Sequence, residues 1–160
     1  MTPTNLWDFA CQSYARPDVE QLCLYLQDDW QGDVVLLLWL SWLESEGHRL
    51  EADQWRSAQA YIHPWQSEVL KPLRQLRRRI KTQYPGRGAT GEACRQAIKS
   101  AELRAEQRNL EELEALAKKW FGASPQTPLK AGCNLQLYTH QLGLPEALHQ
   151  QLAQCLRQAE

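Results

Sequence analysis

From Glu92 to Trp120 no proline or glycine interrupts the chain, and within this run Glu102, Glu106 and Asn109 stand four and three residues apart. On a helix that spacing places all three side chains along one side. At about 100° per residue, Glu102 and Asn109 fall near the middle of an apolar face marked by Ile98, Ala101, Ala105, Leu113, Leu116 and Trp120, with Glu106 close to its edge. An ionised carboxylate there demands a cation, because desolvating an unpaired charge costs several kcal/mol. The nearest cations belong to the run 64–84, where Trp65, Val69, Leu73, Leu76 and Ile80 mark a buried stripe and Arg77 flanks it. The expectation is an ion pair from Arg77 to Glu102 or Glu106. Such a group either fixes the register of two helices, which is the plainer use, or forms the polar part of a ligand site.

Arg74, Arg78, Lys71 and Lys81 point away from that stripe and make an outward basic face. A face of this kind takes an acidic partner, and with no aromatic side chain interleaved to stack a base, an acidic protein fits better than nucleic acid. The overall charge of −1 conceals the asymmetry behind it: residues 1–70 carry eleven acids against three bases, and residues 71–99 carry nine bases against Glu92 alone. Such segregation either steers a partner toward the middle segment or pairs the two regions within one fold.

Other chemistry finds little support in the residue pattern. The four histidines (His48, His63, His140, His149) lack metal-ligand spacing, and the loop 85–91, with Arg87 and Arg95 nearby, lacks the Gly-x-x-x-x-Gly-Lys-Ser/Thr pattern of a phosphate loop. Asp29-x-x-x-Asp33 is broken by Gly32, and no Gly-x-Ser-x-Gly or recognisable cysteine nucleophile is present. No metal or cofactor is expected, and no particular small-molecule ligand is indicated. The five cysteines contain no Cys-x-x-Cys pair and read as reduced, small core residues.

The elements that must position these residues are all helical. Asn5 can cap a first helix, and Pro17 can open a second whose Val19, Leu22, Cys23, Leu26 and Trp30 follow one stripe. Asp33 can cap a third, whose run from Val34 to Leu40 is apolar all round, which makes it the central and most buried helix. A shorter helix over about 51–62 follows, and Pro64 then opens the long basic helix, with Pro72 placed to kink or divide it. After the loop 85–91 comes the uninterrupted scaffold helix over 92–122, and Gly143-Leu144-Pro145 joins two short helices within 134–158 as a hairpin. The expected fold is therefore an all-α, compact single-domain helical bundle of about seven or eight helices spanning 1–160. Its apolar runs are too short to cross a membrane, and no secretion signal stands at Met1 to Trp7, so a cytoplasmic location is expected.

Several segments together resemble a small proteobacterial family known only as a domain of unknown function. They are Leu6-Trp7-Asp8-Phe9-Ala10, Tyr14, Pro17-x-Val19, Cys23-Leu24-x-Leu26-Gln27-Asp28, Asp33-Val34, Leu37-Leu38, Trp42-Leu43, Pro72-Leu73-Arg74-x-Leu76-Arg77 and Ala101-Glu102-Leu103-x-Ala105-Glu106. The resemblance implies a bacterial cytoplasmic protein and carries no activity with it. The residues themselves favour a non-enzymatic interaction or adaptor module that uses the basic face. The alternative is a small ligand-binding protein or enzyme with a polar Arg77, Glu102, Glu106 and Asn109 site between central helices.

Overall fold

The structure, a computed structural model, describes residues 5–157. Eight α-helices and one π segment follow in order among them: α1 (Leu6–Tyr14), α2 (Pro17–Asp29), α3 (Val34–Ser45), α4 (Ala52–Trp65), the π segment Gln66–Leu70, α5 (Lys71–Gln83), α6 (Gly88–Phe121), α7 (Leu135–Leu142) and α8 (Glu146–Arg157). The chain is an all-α bundle, and no strand occurs among the described residues. Gln158, the expected last residue of the C-terminal hairpin, lies outside them.

Helix starts obey local chemistry. The Asn5 side chain accepts from the Asp8 amide at 2.8 Å, and the Asp33 carboxylate accepts from Val35 at 2.8 Å and Leu36 at 3.4 Å, which satisfies amides that have no partner within their own helix. Behind the Asp33 cap, every residue from Val35 to Glu44 is buried. Helix α3 is thus the axis around which α1, α2, α6, α7 and α8 pack. Gly47 ends its turn at φ +78°, where an added Cβ would stand 2.4 Å from the Thr127 carbonyl oxygen, so both backbone and space require glycine.

Three boundaries differ from expectation. Pro64 opens no new helix; it sits inside α4, and α4, the π segment and α5 run on without a break in the helical backbone. The expected disturbance from Pro72 appears upstream of it as the π turn, in which Lys71 N–H bonds to the Gln66 carbonyl. Such a turn takes up one extra residue and rotates the face of everything after it. Helix α6 begins at Gly88 rather than Glu92 and holds 34 residues, about 51 Å of helix.

Only the second half of α6 enters the core, where Glu102, Ala105, Asn109, Leu110, Leu113 and Ala117 are buried and Ala101 is exposed. Its first half lies against α5, in which no residue is buried. The expected stripe on the basic helix is accordingly shallow: Leu73 and Ile80 are half-buried and Leu76 is 40% exposed. The cysteines also depart from expectation, since only Cys23 is buried while Cys11 and Cys94 are exposed.

Candidate functional site

Helices α5 and α6 run side by side where the polar residues of both meet. Glu102 is almost fully enclosed, with a side chain 8% exposed, and it accepts from Arg77 Nε at 2.5 Å, from a second Arg77 nitrogen at 3.2 Å and from Arg74 Nε at 3.2 Å. Arg74 also reaches Glu106 at 3.4 Å. The expected pairing of Arg77 with Glu102 is present. The outward placement of Arg74 is not: its side chain is only 17% exposed and bridges both acids. The cause is the π turn, which re-phases α5 so that the inward face centres near Arg77 and takes in Arg74.

The basic face is smaller than expected, because Arg74 turns inward and Arg78 is paired within the fold. Arg78 pairs with Asp28 of α2 at 2.6 Å, and Arg87 and Arg95 both bind Glu92. Lys81 is exposed, as are Lys71 and Arg79, and none of these three forms an ion pair among the described residues. One link between the acidic first part of the chain and the basic middle therefore lies inside the fold, through Arg78 and Asp28.

The two acids of the cluster differ in environment. Burial pushes the Glu102 carboxyl up, but the Arg77 and Arg74 guanidiniums outweigh it and hold the group below the usual carboxylate range. For Glu106 burial prevails: Arg74 lowers it, Glu102 and Asp33 repel its charge, and it is pushed up to about 7. Asp33 is anchored behind it by its cap bonds and by the Gln66 amide, which donates to the second carboxylate oxygen. Asn109, one turn further along α6, is fully buried, and neither of its amide atoms bonds to another protein group.

Arg77, Glu102 and Glu106 form the polar end of an open cleft of about 590 Å³. Trp7, Ala10 and Tyr14 of α1 form one wall, Val35 and Leu38 of α3 the floor, and Leu103 and Leu110 of α6 the other wall. Cys11 and Lys99 stand at its edge, and Leu103 is 52% exposed on its rim. Trp7 and Tyr14 were not distinguishable from core residues in the sequence, because helical spacing assigns both to a face and says nothing of a gap beside it. Asp33 carried a signal only as a cap, and Gln66 carried none.

A second buried acid serves a different purpose. Glu44, 1% exposed, accepts from the amides of Gly132 at 3.0 Å, Asn134 at 2.9 Å and Leu135 at 3.1 Å. Its carboxylate thereby caps the start of α7 from α3 and ties down the C-terminal helices.

The model of a family described as a protein of unknown function (DUF2390) matches residues 5–113, which include every residue of the cleft and of the ion-pair cluster. No curated protein and no solved structure matches the chain.

Proposed function

The chain belongs to the DUF2390 family, and we propose that this member binds a small organic ligand in the cleft between α1 and α6. The observation that carries this reading is the position of Glu106. Its carboxyl lies in a cleft with apolar walls, has one long bond at 3.4 Å to Arg74, and is held near neutrality in its proton affinity, a combination that belongs more to binding sites than to structural ion pairs. A purely structural pair would resemble Glu102, whose two oxygens are both satisfied.

Cys11 supplies the test, because it lines the cleft while Cys94 is exposed elsewhere. The neutral apolar probe N-phenyl-1-naphthylamine is expected to bind the folded protein with saturable, blue-shifted emission and to slow maleimide labelling of Cys11 but not of Cys94. Leu103→Arg on the exposed rim should abolish both effects. Saturable binding that leaves Cys11 labelling unchanged, or no binding at all, would sink the reading.

A second reading, an interaction module for an acidic protein, is favoured by the outer side of α5, where Lys71, Arg79 and Lys81 are exposed beside Leu76. Reversing these three bases to Glu should remove a protein partner recovered by pull-down, in a salt-dependent manner, with little change in folding. An unchanged partner list refutes it.

A further inference from the structure

The charges around the cleft are unevenly paired. Arg74 and Arg77 lie against Glu102 and Glu106, Asp33 stands behind them, and Lys99 lines the cleft further along, so three cations face three carboxylates but do not satisfy them equally. Hydrogen bonding shows which acid is left over. Glu102 accepts three bonds, Asp33 is engaged by two helix amides and Gln66, and Glu106 accepts one long bond through a single oxygen, leaving its other oxygen without a partner among the described residues. Like Glu102, this least satisfied acid borders the cleft, whose lining includes two aromatic rings, Trp7 and Tyr14. Aromatic faces beside an acid favour a cation, since the ring quadrupole and the carboxylate attract it together.

We propose, resting on the cleft reading above, that the ligand is an organic ammonium ion on an apolar body, its charged nitrogen paired with Glu106 and its body against Trp7, Tyr14 and Leu103. The groups that face Glu106 are Arg74 and Arg77 from α5, Glu102 from its own helix, Asp33 from the α3 cap and Tyr14 from α1, with Lys99 further along the cleft. The guanidiniums are held by Glu102, which limits their repulsion of an incoming cation. Without such a ligand a proton on Glu106 relieves its burial and its repulsion by Glu102 and Asp33, in keeping with its displacement to about 7. Ligand and proton then compete for one carboxylate, and binding releases a proton.

Three compounds with one body separate the possibilities by calorimetry: 2-phenylethylammonium, 2-phenylethanol and 3-phenylpropionate. The ammonium is expected to bind about tenfold or more tightly than the other two at pH 8, and to weaken about tenfold at pH 6, where Glu106 holds its proton. At pH 7, wild-type titrations in phosphate and Tris buffers should differ in heat in the sense of net proton release. Glu106→Gln should erase the preference for the cation, bringing the affinity of the ammonium down to about that of the alcohol for the same variant. Equal binding of the alcohol, tighter binding of the carboxylate through Arg77 and Lys99, or absence of proton release would each overturn the proposal while the cleft remains a binding site. If none of the three binds while N-phenyl-1-naphthylamine does, the ammonium proposal fails alone. If the naphthylamine fails as well, the cleft reading fails with it.

Discussion

Replacing Arg77 by Met removes the closest partner of Glu102 while keeping an unbranched apolar stem. Breaking one side of a buried pair costs about 3–5 kcal/mol, because the remaining charge stays desolvated. Here Arg74 still holds Glu102 at 3.2 Å and Arg77 is itself 21% exposed, so we expect roughly half of that range, about 2 kcal/mol. For a chain of 160 residues this corresponds to a fall of about 4–8 °C in Tm. The double variant Arg77→Met with Glu102→Met should be more stable than the single one, because no orphaned carboxylate remains and Arg74 keeps Glu106. Urea unfolding followed by circular dichroism, with the single variants and the double in one cycle, measures the difference. A single variant within about 0.5 kcal/mol of wild type, or a double variant whose losses simply add, would refute the view that Glu102 depends on its cations.

The two acids of the cluster should leave opposite signatures in pH. Glu106, raised in the folded state, contributes stability that is present below its unfolded value of 4.5 and lost as pH rises toward about 7, so Glu106→Gln should flatten the stability profile in that window. Glu102, lowered in the folded state, contributes stability present above 4.5 and lost on acidification through its folded value, so a Glu102→Gln profile should lack that acidic loss. Glu44→Gln puts an amide donor against backbone donors and should cost about 2 kcal/mol, with hydrogen exchange accelerated in 129–157 before the rest of the bundle; uniform acceleration would contradict the local role. Asn109→Leu should gain about 1 kcal/mol by removing a buried amide without a protein partner, and a marked loss in urea midpoint would show that the amide is satisfied by something it holds.

Much of the fold was legible because it is decided locally. Asn5 and Asp33 cap helices by contacts within three residues, and the apolar run from Val34 to Leu40 leaves no polar side to turn toward solvent, so its burial follows from composition alone. The need of Glu102 for an arginine was likewise readable, since a carboxylate on an apolar helical face has few alternatives. The cleft was not legible, because it is a space left beside the contacts among α1, α3 and α6, and no residue pattern encodes a gap between elements distant in sequence. Nor was the direction of Arg74, which follows the π turn at Gln66–Leu70: a single extra residue rotates the whole of α5, and at that turn Trp65 and Gln66 bond to Ala105 and Asp33, groups distant in sequence. Glu44 makes the same point from α3, where three amides some ninety residues away in the chain determine that a buried charge caps a helix instead of destabilising the core. Periodicity and capping are short-range and survive in the sequence, whereas the phase of one helix against another and the spaces left between them arise only when the chain closes on itself.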